Sequence, residues 1–110
     1  MKLNDEPFEM IKSGRKTFEL RLCDEKRQLL SVGDEIEFTH AEDFSRTILA
    51  EVVALHRFPS FEALFASLPL LKCGYTEETL AAASHTDMSK YYSKEEEAKF
   101  GVVAIEIKLK

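Results

Sequence analysis

The chain has 110 residues, of which 45% are apolar, so we expect a single domain over residues 1–110 with its own compact core. The formal net charge of −5 argues against tight, nonspecific binding of long nucleic acids, because that affinity comes mainly from neutralising phosphates. No apolar run approaches the ~20 residues of a membrane span, and the N-terminus has no basic and then apolar leader. We therefore expect a cytoplasmic protein with no membrane contact.

The first predicted element is a helix from Asp5 to about Ser13. Asn4 can cap its start, and Gly14 can adopt the left-handed conformation that closes its end. Three cations follow at the C-terminal end, where the helix dipole favours positive charge: Lys12, Arg15 and Lys16. This attraction alone is one explanation for the cluster, and a binding site is the other.

A strand is predicted to begin near Thr17, so that its side chains alternate between two faces. The apolar face carries Phe18, Leu20 and Leu22, and the polar face carries Thr17, Glu19 and Arg21. Because Lys16 can reach the polar face on its long side chain, we expect a cleft lined by Lys16, Thr17, Glu19 and Arg21. The alternative is a surface ion pair between Glu19 and Arg21 that contributes little stability.

The middle of the chain predicts two further strands. Residues 32–34 (Val-Gly-Asp) are typical of a turn, and Ile36 and Phe38 alternate on the strand that follows. The next strand spans Arg46 to Phe58 and is long enough to bend around a barrel. Its predicted faces are Ile48, Val52 and Phe58 on one side and Leu49, Val53 and Leu55 on the other.

The last third predicts three helices and a final strand. Ser60 can cap a helix with an apolar stripe that Pro69 ends, a second helix can run from Thr76 to Ala83, and Ser93 with Glu96 forms a capping box for a third that ends at Gly101. The last strand alternates clearly, with Val103, Ile105, Ile107 and Leu109 on one face. Strands without regular helix alternation indicate an α+β domain.

Metal and cofactor chemistry is not indicated by any cluster of ligands. The two cysteines, Cys23 and Cys73, lie far apart in the sequence, and His40, His56 and His85 lack metal-ligand spacing. We expect reduced structural thiols, no metal and no cofactor.

The pattern Gly14, Lys16, Glu19 and Arg21 resembles the signature of the ASCH domain family, small single-domain proteins of bacteria or archaea in the PUA-like superfamily. The resemblance extends through residues 24–27, 32–38 and 100–105 and covers nearly the whole chain. It implies a PUA-like α+β fold, a small, mostly antiparallel β-barrel flanked by short helices.

The resemblance implies RNA or a small modified nucleoside as the partner. Cations concentrate near the signature, since residues 1–30 carry seven Lys or Arg against six Asp or Glu. The tyrosines at positions 91 and 92 offer stacking surfaces for a base, although they could instead cover the end of the barrel. The predicted ligand-binding residues are Arg15, Lys16, Thr17, Glu19, Arg21, Lys26, Arg27, Tyr91 and Tyr92.

The resemblance leaves open whether the protein is an enzyme. Some small family members are amidohydrolases that remove the acetyl group of N4-acetylcytidine with a set that resembles Lys16, a Thr three residues later and a downstream Glu. Here Glu19 stands in place of that Thr, and the downstream Glu cannot be aligned among Glu77, Glu78 and residues 95–97. A binding module is therefore the first hypothesis. A hydrolase or ribonuclease with Lys16 and Glu19 as catalytic residues is the second, and a regulatory protein-interaction domain is the third.

The two faces of the signature strand predict opposite effects on stability. If Lys16 is exposed and mobile, its replacement by alanine should change the free energy of unfolding within about 0.5 kcal/mol. If Phe18 is buried, its truncation should cost ~3 to 5 kcal/mol.

Overall fold

The computed structural model describes all residues from 1 to 110 and shows an α+β architecture, as the sequence predicts. The strands are β1 (Lys2–Leu3), β2 (Phe18–Leu22), β3 (Glu35–His40), β4 (Thr47–Phe58) and β5 (Val102–Leu109). The helices are α1 (Asp5–Lys12), α2 (Phe61–Ser67), α3 (Glu77–Leu80) and α4 (Lys94–Phe100), with 3-10 turns at Arg27–Leu29, Leu70–Lys72 and His85–Lys90. None of these helices has the length and apolar character needed to cross a membrane.

The five strands form one sheet in the order β1-β3-β4-β5-β2. Only the short β1–β3 pair is parallel, so the sheet is mostly antiparallel as predicted. The sheet curls into a half-barrel of the PUA-like type. Strands β1 and β2 are its two edges, and the fold is therefore open along the seam between them.

Both faces of the sheet are covered, because β5 contributes to two apolar clusters. Val103, Ile105 and Ile107 pack on the α1 side together with Phe8 and Ile11. Residues of β2 and α2 form the second cluster with alternate residues of β5: Phe18, Leu20, Leu22, Phe61, Leu64, Val102 and Ala104. The predicted alternation of β2 and β5 is confirmed, although Leu109 is half exposed at the end of its strand.

The predicted faces of β4 are wrong beyond Val52. The strand carries a bulge between Val52 and Ala54, where the register to β5 shifts by one residue. An extra residue reverses the alternation after it. Consequently Leu55 packs with Val52 in the α1-side cluster, and Phe58 packs in the opposite cluster.

The helices largely follow their predicted caps. Ser60 and Ser93 accept hydrogen bonds from backbone N–H groups at the starts of α2 and α4. Helix α3 is shorter than predicted, because it ends at Leu80 instead of Ala83. Asn4 occupies the cap position of α1 but its side chain makes no capping hydrogen bond, which corrects the predicted cap.

The connection from α1 to β2 positions the signature residues. Gly14 has a φ of +82°, the left-handed conformation that favours glycine, and closes α1 as predicted. The Lys16 N–H then donates to the Met10 carbonyl at 3.0 Å, and the Thr17 N–H donates to the Lys72 carbonyl at 2.9 Å. These two bonds fix the chain where it enters β2 and tie it to the segment that follows α2.

Candidate functional site

A buried carboxylate held between two cations forms the centre of the site. Lys16 Nζ donates to Glu19 Oε1 at 2.8 Å, and Arg21 Nη2 donates to Glu19 Oε2 at 3.0 Å. Glu19 is 4% exposed and Lys16 is 9% exposed. The predicted alternative of a surface ion pair is therefore wrong, and so is the expectation that Lys16 is exposed and mobile. Each oxygen of the carboxylate has its own cationic partner, so the three side chains form one rigid network.

The network keeps its groups charged despite their burial. Burial alone would raise the pKa of Glu19, but the charges of Lys16 and Arg21 outweigh it and hold that pKa below its usual value. Burial likewise opposes the charge of Arg21, but Glu19 outweighs it and raises the Arg21 pKa, with Tyr92 acting in the same direction. Glu19 is therefore a carboxylate at neutral pH.

The network lies in a cleft of about 650 Å³ at the open seam of the half-barrel. One wall comes from β1 and the residue after it, and the other comes from the signature segment at the start of β2. The cleft is locally positive although the chain is acidic, because four cations line it against two carboxylates: Lys2, Lys16, Arg21 and Lys90 against Glu19 and Asp87. An anionic ligand is favoured by this balance.

The segment from 73 to 92 covers the cleft and supplies more than half of its lining. The Tyr75 hydroxyl donates to Asp87 Oδ2 at 2.6 Å, which joins the two ends of this cover. Gly74 has a φ of +108° and lies against Lys16, since a Cβ at this position would be 3.4 Å from Lys16 Cδ. Glycine thus allows the cover to approach the lysine side chain closely.

Two adjacent tyrosines line the far side of the cleft. Tyr91 is 66% exposed. Tyr92 is half-buried and stacks on Phe61 with ring centroids 5.8 Å apart. The ring of Tyr91 is therefore available to a ligand, whereas the ring of Tyr92 is fixed by the core.

The structure brings together five of the nine residues predicted to bind a ligand. Lys16, Glu19, Arg21, Tyr91 and Tyr92 line the cleft. The other four lie outside its lining: Arg15, Thr17, Lys26 and Arg27. Arg15 donates to the Ser13 hydroxyl and Arg27 pairs with Asp24, so both contact neighbours in the chain. Any contact of these four with a ligand stays a prediction.

Sequence reasoning missed several lining residues, notably Lys2, Asn4, Cys73, Asp87 and Lys90. They come from three separate parts of the chain and share no motif. Asn4 had been assigned a capping role, and nothing in the pattern placed β1 opposite β2. Only the curl of the sheet brings these residues to one seam.

None of the downstream glutamates considered for catalysis lines the cleft. Glu97 instead accepts a hydrogen bond from the Phe61 N–H at 2.7 Å. The downstream carboxylate in the cleft is Asp87, whose pKa is lowered mainly by the Tyr75 hydroxyl.

Burial raises the pKa of the Cys73 thiol to about 11, so this group is a protonated thiol at neutral pH.

The histidines do not contribute to the cleft. His40 contacts Asp5, His56 contacts Glu106 and His85 lies near Glu62. No group of three or more His, Cys, Asp or Glu side chains is arranged to hold a metal ion.

Comparison with known proteins identifies the family. The chain resembles the crystal structure of the hypothetical protein PH0355, with a TM-score of 0.76, 28% identity and full coverage of both chains. It also resembles the solution structure of protein PF0455 from Pyrococcus furiosus, with a TM-score of 0.67, 27% identity and coverage of 99% and 97% of the two chains. No curated protein matches the sequence. The ASCH domain model matches residues 1–110, and the chain therefore belongs to the ASCH domain family.

Proposed function

We propose that the cleft binds a nucleotide of single-stranded RNA or a small modified nucleoside. The observation that carries this proposal is the buried Glu19 carboxylate, held by Lys16 and Arg21 in a cleft whose lining also includes the exposed Tyr91. A base has a flat apolar face, which can stack on Tyr91, and a polar edge, which can bond to the charged network of Lys16, Glu19 and Arg21.

The charges of the cleft suit a phosphate or two but not a long polyanion. Lys16 and Arg21 are already neutralised in part by Glu19. Lys2 and Lys90 line the same cleft and form no ion pair, so each can neutralise a phosphate. The Lys2 ammonium lies over the Phe44 ring, 5.0 Å from its centroid, and would leave this contact to do so. The ligand we infer is therefore one or a few nucleotides.

The tyrosines support stacking as the source of affinity for the base. Stacking on an aromatic side chain contributes ~1 to 3 kcal/mol per base and tolerates different bases. Tyr91 presents an exposed ring beside Lys90, which combines a stacking surface with a cation for the adjacent phosphate.

A hydrolase is the rival function, since Lys16 resembles the catalytic lysine of some small amidohydrolases of the family. A general base works best with a pKa near the operating pH. The pKa values of both cleft carboxylates, Glu19 and Asp87, are instead lowered, the pKa of Cys73 is raised, and no histidine lines the cleft. These observations favour binding over turnover.

The test is to incubate the protein with acylated nucleosides and short single-stranded RNAs, and to measure binding by calorimetry and products by mass spectrometry. We expect saturable binding without product. Glu19→Gln should weaken the binding, and Lys12→Ala, on the exposed end of α1, is the control that should not. A product that disappears in both Lys16→Ala and Glu19→Gln would establish the hydrolase instead. If neither binding nor product is observed, the remaining hypothesis is a regulatory protein-interaction domain.

A further inference from the structure

Leu20 packs in the core and also lines the cleft, and its main chain lies on the edge strand β2. The leucyl side chain packs in the cluster formed by β2, β5 and α2, and yet the residue lines the cleft. Cys73, Met88 and Tyr92 belong both to that cluster and to the cleft lining, so the direction of the Leu20 backbone follows from its strand register and not from its side chain.

The hydrogen-bond register of β2 explains this orientation. The Ile107 N–H donates to the Thr17 carbonyl at 2.9 Å, and the Cys23 N–H donates to the Gly101 carbonyl at 3.0 Å. In an antiparallel pair only alternate residues bond to the neighbouring strand, so the odd-numbered residues from 17 to 23 face β5. The N–H and C=O of Leu20 point away from β5, toward the free edge of the sheet.

No protein group satisfies these two atoms. Strand β2 has no neighbour on its free edge, and Leu20 takes part in none of the side-chain hydrogen bonds or loop bonds of the fold. Buried backbone donors and acceptors are nearly always paired. Phe18 and Leu22 present the same unpaired groups on this edge, and Leu20 is the one of the three whose donor and acceptor belong to the lining of a cleft, where a ligand can reach them.

The extent of this free edge favours a base over a peptide strand. A peptide that adds to a sheet edge bonds to several successive outward-facing residues. Of the three such residues in β2, which are Phe18, Leu20 and Leu22, only Leu20 lines the cleft. One donor and one acceptor match the hydrogen-bonding edge of a single base, which carries adjacent groups of both kinds.

We propose that the Leu20 N–H and C=O bind the Watson–Crick edge of the nucleobase. This inference rests on the proposed function and adds to it that the base lies edge first against Leu20, beside the bonded Glu19–Arg21 pair, with its face toward Tyr91. A methyl group at N3 of uridine, which removes the donor on that edge, is then excluded, whereas a methyl group at C5 is accepted.

The test is a nuclear magnetic resonance titration of protein labelled uniformly with ¹⁵N, with uridine and cytidine 5′-monophosphates as probes. We expect the Leu20 amide proton to shift downfield and its exchange with solvent to slow. Leu22 is the matched control, because its amide points to the same edge outside the cleft and should not respond. Replacing the probe with N3-methyluridine 5′-monophosphate should weaken binding about tenfold or more, because the Leu20 carbonyl loses its donor. The 5-methyl analogue should bind like the parent.

The outcomes separate this inference from the proposed function. Binding that shifts cleft resonances but not the Leu20 amide, or equal affinity for the N3-methyl and parent probes, overturns main-chain recognition and leaves nucleotide binding intact. The same titration is repeated with an extended peptide. If the Leu20 amide responds to the peptide but to neither nucleotide, the edge of β2 binds a peptide strand and not a base. No response to any nucleotide, by any resonance, overturns both proposals.

Discussion

At the scale of single residues, the site is defined by one carboxylate that the fold buries. Isolated charges are costly to bury, and Glu19 is tolerated because Lys16 and Arg21 each bond one of its oxygens. The three side chains come from six consecutive residues, so the signature encodes the network locally. What the sequence could not predict is the burial, because burial depends on the cover formed by residues 73–92.

Lys16→Met should destabilise the protein by about 3 kcal/mol, because removing one partner of a buried ion pair leaves a poorly compensated charge. Arg21 still pairs with Glu19, which keeps the loss near the low end of the usual range. Urea denaturation measures the free energy of unfolding of this variant and of the control Lys12→Met, which changes an exposed lysine. A loss within about 0.5 kcal/mol would mean that Lys16 is exposed in solution, as the sequence alone suggested.

The lowered pKa of Glu19 predicts a specific acid response. Because the folded-state pKa lies below the ordinary 4.5, the unfolded chain binds the proton more tightly. The stability that Glu19 contributes is therefore complete above about pH 4.5 and is lost as the pH falls through its folded-state pKa.

The difference in unfolding free energy between the natural protein and Glu19→Gln should be large at pH 7 and should shrink at pH 3. Urea denaturation at both pH values measures it, with Glu95→Gln at the exposed start of α4 as control. A difference that stays constant with pH would show that the Glu19 pKa is not lowered by folding.

At the scale of elements, the alternation of β2 places an apolar face in the core and a charged face in the cleft. The pattern of apolar and polar residues predicted the core face of Phe18, Leu20 and Leu22 and the cleft position of Glu19 and Arg21, whereas Thr17 of the predicted polar face lies outside the cleft lining. The same reasoning failed on β4, because a bulge has no reliable signature in a run of apolar residues. Periodicity predicts a face only while the register is unbroken.

Phe18→Ala should cost ~3 to 5 kcal/mol of unfolding free energy, because it removes a buried aromatic ring from the cluster of β2, β5 and α2. Ligand affinity of the remaining folded protein should change little, since the ring does not line the cleft. Chemical denaturation and calorimetry on the same sample test both statements. A stable Phe18→Ala variant would place this ring on the surface.

At the scale of the whole molecule, the cleft exists because the sheet stays open. The α+β class and most element boundaries followed from caps and periodicity. The seam between β1 and β2 could not be predicted in this way, because β1 has only two residues and its pairing with β3 joins distant parts of the chain. Lys2 and Lys90 are far apart in the sequence, and only the curl of the sheet brings them to the same cleft.

The charge distribution predicts a weak salt dependence of RNA binding. Two unpaired cations in the cleft, Lys2 and Lys90, can neutralise about two phosphates. Each contributes roughly −0.7 to the slope of log affinity against log salt for a single strand, so we expect a slope of about −1 to −2. A slope near −6 would require an extended basic surface, and titrations at several salt concentrations decide between the two.

The most direct test of nucleotide binding in this cleft is calorimetric titration of a short single-stranded RNA into the natural protein and Tyr91→Ala. Tyr91 is exposed, so the variant should fold normally, and loss of one stacking surface should weaken binding roughly 5- to 150-fold. Leu29→Ala, at another exposed apolar residue that lies outside the cleft, should bind like the natural protein. Equal affinity of all three proteins, or no binding by any of them, would contradict the assignment of this cleft to a nucleotide.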